Sequence, residues 1–214
     1  MEGTNGAGAG AQQADGEAPD RRIDPVREAA EYQAHLLGLL GDRDAAEVQR
    51  QLGPQLASLV RGAGQDLRTR PEPGEWSVVE CLGHMVDAEI VYAGRYRWIL
   101  AHERPPLIGY DQDLWVERLG HQDADPEELL AFFDVLREAN LALWERTSEQ
   151  ERERVGMHAE RGPESLDLSF RLIAGHGLFH LAQIERTLDR VRAARHEQTV
   201  RRAGPPAAPP ASGS

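Results

Sequence analysis

The sequence predicts an all-α fold, an up-down four-helix bundle with a long ordered loop between its second and third helices. Three observations predict it. Apolar residues recur at helical spacing in separated stretches, and the long stretches open on recognisable caps. No segment alternates polar and apolar residues over a strand's length, so no substantial sheet is expected. The length, 214 residues, suits one domain with tails rather than two full domains.

Residues 1–23 are mostly Gly, Ala, Gln and acidic residues. They cannot bury enough apolar surface to offset chain entropy, and a disordered tail is expected. The folded domain is expected over residues 24–202. Asp24 offers an N-cap, with Pro25 at the first helical position. Tyr32, Leu36, Leu37, Leu39 and Leu40 then form an apolar stripe that Gly41 stops, which makes the first helix. Residues 44–59 read as two short helical pieces broken at Gly53 and Pro54. Ser77 and Glu80 form a capping box. The second long helix follows through Leu82, Met85, Val86, Ile90, Tyr92, Tyr96 and Leu100.

Residues 104–124 are rich in Pro, Gly and aromatic side chains. They read as one loop, whose apolar content argues that it packs. Asp125, Pro126, Glu127 and Glu128 supply a cap, a proline and an acidic first turn to the third helix. Leu129, Leu130, Phe133, Leu136, Ala139, Asn140 and Leu143 carry it. Residues 156–163 connect to a last helix running from near residue 165 to about residue 200. Residues 203–214, rich in Pro and Ala, are expected to form a second disordered tail.

The formal net charge is −12, from 24 basic and 36 acidic side chains. That balance argues against a nucleic-acid backbone as partner, which needs a basic patch. Every basic residue is Arg, the mark of a GC-rich bacterial genome. Cys81 is the only cysteine, so no intrachain disulfide forms, which fits a reducing compartment. No apolar run is long enough to span a membrane. The N-terminus lacks the basic start and apolar stretch of a signal peptide. A cytoplasmic bacterial protein with a small-molecule substrate is the expectation.

The chemistry concentrates in the last helix. His176 and His180 stand four residues apart in an apolar run, one turn apart on one helix face. That spacing lets two imidazoles reach one metal ion. A third ligand must come from another helix, and His84 is the candidate. The competing reading makes these histidines ordinary hydrogen-bonded core residues. Gln183 shares the face of His176 and His180, and either orients a ligand or packs as an amide. Asp87 either fixes an imidazole tautomer from behind or is a solvated residue. Glu89 is expected to form a structural ion pair with Arg95 or Arg97. His158 is expected on a surface loop, with a place at the site mouth as the alternative, and Cys81 as a small buried hydrophobe, with a fourth ligand or redox-sensitive thiol as the alternative. Trp76 and Trp115 are expected to pack on the bundle, with substrate stacking by Trp115 as the alternative. His35, His102, His121 and His196 receive no role.

Three blocks carry a family resemblance. Glu75, Trp76, Ser77, Glu80, His84, Asp87 and Glu89 form the first. Tyr110, Asp111, Gln112, Asp113 and Trp115 form the second. Residues 174–184, with His176, His180 and Gln183, form the third. In this order they resemble the DinB-like (damage-inducible, YfiT-like) superfamily over roughly residues 25–195. The resemblance implies a four-helix bundle, often a homodimer, with one divalent metal held by His84, His176 and His180. It also implies a metal-dependent enzyme. Some members use the small thiols bacillithiol or mycothiol as cosubstrates, and others are known only as metal-dependent hydrolases. The name is shared with an unrelated DNA polymerase, and nothing in this chain suggests DNA synthesis.

Three protein ligands leave coordination positions for water or substrate, as catalytic sites do. All-nitrogen ligation does not distinguish Zn, Ni, Fe, Co, Mn or Cu. The expected function is therefore a small-thiol S-transferase or a hydrolase. The alternative is a non-catalytic metal-binding or stress-response interaction module.

Overall fold

The computed structural model describes residues 27–203. The expected cap at Asp24 and Pro25, and the two expected tails apart from Ala203, lie outside the described residues. Seven α-helices are described: α1 (Ala29–Leu40), α2 (Ala45–Ala63), α3 (Val78–Ala101), α4 (Gln112–Arg118), α5 (Pro126–Glu145), α6 (Glu149–Arg152) and α7 (Leu166–Ala203). A small sheet joins β1 (Pro106–Leu107), β2 (Val155–His158) and β3 (Gly162–Ser165).

The bundle is a ring of four helices. Helix α2 packs on α5 and α7, and α3 packs on the same two. Helices α2 and α3 barely touch, so they face each other across the ring. Helix α1 lies along the outside of α7. The fourth member of the bundle is thus α2, where the sequence suggested α1. The reason lies at Pro54. A proline inside a helix costs about 3 kcal/mol, yet α2 runs through it unbroken. Pro54 faces solvent, while Val48, Leu52, Leu56 and Val60 form a buried stripe at helical spacing. Burying such side chains yields roughly 1.5–3 kcal/mol each, enough to outweigh the proline.

The caps were legible. The Ser77 side chain accepts from the Glu80 backbone, and the Glu80 carboxylate accepts from the Ser77 N–H at 2.9 Å. Asp125 caps α5, accepting from Glu127 N–H at 2.8 Å. The segment read as one loop, residues 104–124, is ordered as expected but holds β1, α4 and a 3-10 turn at His121–Asp123. The two-residue strand β1 runs parallel to β2, and β3 returns antiparallel to β2. Strands of two to four residues are too short to show a period of two.

Close approaches are set by glycines. A Cβ on Gly175 would lie 2.2 Å from the Leu36 backbone oxygen, and one on Gly177 would lie 2.3 Å from Leu52. These two residues flank His176, so α7 is held tightly against α1 and α2 at that level.

Candidate metal centre

Helix α3 contributes His84; α7 contributes His176 and His180 one turn apart. The packing of α3 on α7 brings all three rings together. The Nε2 atoms of His84 and His176 are 3.0 Å apart. One ligand atom from each of the three histidines lies within 4.8 Å of the other two. The rings are 1, 7 and 2 % exposed for His84, His176 and His180. A tetrahedral ion with metal–nitrogen bonds of about 2.1 Å separates its ligand nitrogens by about 3.4 Å. The cluster therefore has the dimensions of a metal site.

Its electrostatics suit a cation. Burial pushes the basicity of His176 well below the ordinary histidine range, and His180 and His84 push it the same way. Neutral imidazole is the form that binds metals. Gln183 Oε1 lies 2.8 Å from His180 Nδ1. An amide oxygen only accepts, so Nδ1 carries the proton and the ring's lone pair sits on Nε2. Cys81 Sγ is 3.6 Å from the same Nδ1. Burial pushes its thiol pKa up strongly, so Cys81 is a neutral, buried neighbour.

Aromatic rings wall the cluster. Trp76 lies 4.9 Å from His84 and stacks on His180 at 6.3 Å, centroid to centroid. Tyr110 lies 6.4 Å from His84, with Trp115 4.5 Å behind it. Trp76 thus packs on the candidate site itself.

Three expectations need correction. Asp87 is buried rather than solvated, and its Oδ2 lies 2.7 Å from Nε2 of His121, an imidazole outside the three-histidine group. His121, without an expected role, is buried, and its ring fills the space that a side chain on Gly83 would need. Its partner lies 34 residues away in the chain, and no local pattern marks the pair. Glu89 does form a buried ion pair, but with Arg137 at 2.7 Å rather than with Arg95 or Arg97. Helix α5 supplies that partner because it packs beside α3.

The third correction is His158, which lies buried on β2 rather than on a surface loop. Arg95 Nη2 donates to its Nε2 at 3.1 Å. Its Nδ1 lies 2.8 Å from Glu160 Oε2 and 3.3 Å from the Glu160 backbone N–H. Burial, then Arg161 and Arg95, pull its pKa down to about 4, against Glu164 and Glu160. The unfolded chain takes up this proton near pH 6.5, and the folded one only near pH 4. Between those values the unfolded state binds more protons, so acidification destabilises the fold. His158→Gln is expected to flatten this loss, by at most about 3 kcal/mol. Urea denaturation of both proteins across that window measures it.

The DinB superfamily model matches residues 45–184, which include all three histidines. The chain belongs to the DinB superfamily. Among its relatives, a protein of Oceanobacillus iheyensis named "Putative metal-dependent hydrolase" is 28% identical over 120 residues, covering 56% of this chain and 69% of the relative. One of Bacillus licheniformis bearing that designation is 26% identical over 152 residues, covering 67% of this chain and 86% of the relative. YfiT of Bacillus subtilis, also so named, is 27% identical over 119 residues, covering 55% of this chain and 67% of YfiT. The solved YfiT structure, described as "a probable metal-dependent hydrolase with an unusual four-helix bundle topology", matches with a TM-score of 0.58 at 21% identity. It covers 80% of this chain and 94% of YfiT. That match establishes the shared fold.

Proposed function

We propose that this chain is a metal-dependent enzyme in which His84, His176 and His180 hold one divalent ion. The observation that carries the reading is the convergence of three buried imidazoles on one point. Among the described residues the metal-competent group contains these three side chains and no carboxylate or thiolate. A divalent ion held there supplies Lewis acidity, lowering the pKa of a water or thiol at the remaining positions.

The chain's own residues do the rest. Gln183 holds His180 in the tautomer that a metal requires. Trp76 and Tyr110 keep bulk water from the rings. The substrate is a small molecule, and the reaction is small-thiol transfer or hydrolysis. The family resemblance favours a low-molecular-weight thiol as cosubstrate; the relatives' names favour hydrolysis. The near-complete burial of the rings favours a second reading, a non-catalytic metal-binding or stress-response module.

One experiment separates these readings. Protein loaded in turn with Zn, Ni, Fe, Co and Mn is assayed on activated esters, and on electrophiles offered with bacillithiol, mycothiol or cysteine. Turnover that disappears on chelation and returns with metal is expected. Bound metal without turnover in any combination would leave the non-catalytic module.

A cytoplasmic bacterial setting fits the single buried cysteine, and cell fractionation tests it. Among the described residues no helix is long and apolar enough to cross a membrane. The homodimer implied by the family resemblance has candidate contact residues in Ile90 and Trp98 on α3 and Phe132 and Val135 on α5, all exposed. Light scattering is expected to give twice the chain mass, and Trp98→Glu with Val135→Glu to halve it. A wild-type monomer would rule the dimer out.

A further inference from the structure

The three histidine rings are buried, so a substrate reaches them only if part of their wall moves. Two parts of that wall are built differently. Trp76 directly precedes Ser77, whose capping box with Glu80 ties it to the start of α3. Tyr110 lies on residues 108–119, which run from the end of β1 through α4. Of these twelve side chains only Val116 is buried, and Ile108, Leu114 and Leu119 are exposed. A segment with so little buried apolar surface opens locally, well before the fold does.

Both ends of the segment are pinned. At the near end Leu107 is buried on β1, and Gly156 on β2 makes room for it: a Cβ there would lie 2.6 Å from Leu107 Cγ. At the far end Gly120 takes a left-handed φ of 69°, and His121 beyond it is buried with its ring against Gly83. Between these points Asp111 caps α4, accepting from Leu114 N–H at 3.0 Å. Trp115 packs 4.5 Å from Tyr110, ring to ring, which makes one piece of the segment.

A side chain of α3 reaches out to hold it. Arg95 donates from Nη2 to Ile108 O at 3.2 Å and to His158 Nε2 at 3.1 Å. His158 Nδ1 lies 2.8 Å from Glu160 Oε2. The Glu160 carboxylate abuts Gly109, where a Cβ would lie 3.0 Å from both its oxygens. The chain Arg95–His158–Glu160 therefore grips the two residues that precede Tyr110. Arg95 is itself buried and faces Glu164 at 3.9 Å, so it keeps partners in the bundle when Ile108 leaves.

We propose that residues 108–119 form a hinged flap over the three histidines, pivoting at Leu107 and Gly120, and that Arg95 is its latch. Lifting the flap withdraws Tyr110 from His84 and opens the way for a small molecule. Arg95 is a positioning residue, acting on the site through Ile108 and Tyr110. The flap's role as an entrance rests on the metal-dependent reading; its movement does not.

The test reads opening by thiol trapping in the metal-free protein. Cys81→Ala removes the native thiol. Val116→Cys then places one on the buried side of the flap, and Val60→Cys places one in the core on α2; both valines are 3 % exposed. Modification by dithiobis(nitrobenzoate) is timed for each with Arg95 intact, with Arg95→Gln and with Arg95→Lys. The lysine keeps a cation beside Glu164 but not the fork that reaches Ile108 and His158 together. The flap thiol is expected to react at least about tenfold faster than the core thiol. Losing the latch is expected to speed it by roughly tenfold or more, the worth of one charged hydrogen bond, with the core thiol unchanged. Equal rates for the two thiols, meaning exposure by global unfolding, would overturn the flap. A flap thiol whose rate neither substitution changes would overturn the latch, as would core and flap thiols sped alike by both. If Arg95→Gln alone speeds the core thiol, it has loosened the fold and Arg95→Lys decides. With one equivalent of Co(II), the same substitutions are expected to speed its release to EDTA by the same factor and leave its affinity unchanged. Release indifferent to a latch that governs the flap thiol would overturn the entrance. Absence of cobalt binding would sink the metal-dependent reading alone, and the thiol rates would still decide the flap.

Discussion

His176→Ala is expected to lose its metal and the thermal stabilisation that metal gives. The His176 Nε2 lies 3.0 Å from that of His84, and its ring 4.3 Å from that of His180. Removing it leaves two imidazoles without the third donor that closes the group. A ligand that binds only the folded state stabilises by RT ln(1 + [L]/Kd), about 2.7 kcal/mol at a hundredfold excess over Kd. For a domain of this size that is a rise of about 5–10 °C in Tm. Wild type should gain this on metal addition and lose it on chelation. His176→Ala should melt near the chelated wild type and should not respond to metal. The comparison with the chelated protein matters because the variant also relieves the burial of an imidazole. An unchanged metal content in His176→Ala would remove that residue from the site.

Arg137→Met is expected to destabilise the fold by about 3–5 kcal/mol, the cost of leaving a buried charge without its partner. Glu89 is 1 % exposed and Arg137 4 %. Their ion pair spans 2.7 Å, Asn140 Nδ2 donates to the second carboxylate oxygen at 3.2 Å, and the guanidinium rests 4.9 Å over the Phe133 ring. Burial raises the Glu89 pKa, while Arg137 and then Asn140 hold it down. Without Arg137 the folded-state pKa moves further above the unfolded value of about 4.3. The folded variant then binds more protons than the unfolded one, so its stability should fall as pH rises. Urea denaturation at about pH 5 and about pH 8 should show a larger deficit at the higher value. Adding Glu89→Leu should recover much of the loss, because a pair of well-packed apolar side chains replaces the pair of charges. A full-sized loss that persists in the double variant would assign the effect to packing of the arginine stem.

What the sequence could reveal was whatever is written locally. The Ser77–Glu80 capping box and the Asp125 cap involve residues two or three positions apart, and both are present as read. His176 and His180 share a helix face by spacing alone. His84 was a candidate from its apolar setting and gained weight from the family pattern, since nothing within α3 says which helix it will meet. Pro54 misled because its cost is local, while the burial of Leu52 and Leu56 that outweighs it is tertiary. The sheet was invisible because β1 has two residues and its partner β2 comes some fifty positions later. The partner of Asp87 sits in a 3-10 turn and that of Glu89 on α5, while His158 on β2 takes Arg95 from α3, and nothing local to these positions hints at the partner each takes. The aromatic wall was half legible. Trp76 and Tyr110 stand out as residues, but only the packed structure sets them against the histidines.

The most direct test of the central claim is elemental analysis of the purified, untagged protein by mass spectrometry, wild type beside a His84→Ala/His180→Ala double variant. About one divalent metal per chain in wild type and almost none in the variant is the predicted result. Equal metal in both proteins, or none in either after incubation with Zn, Ni, Mn and Fe salts, would contradict the three-histidine metal site.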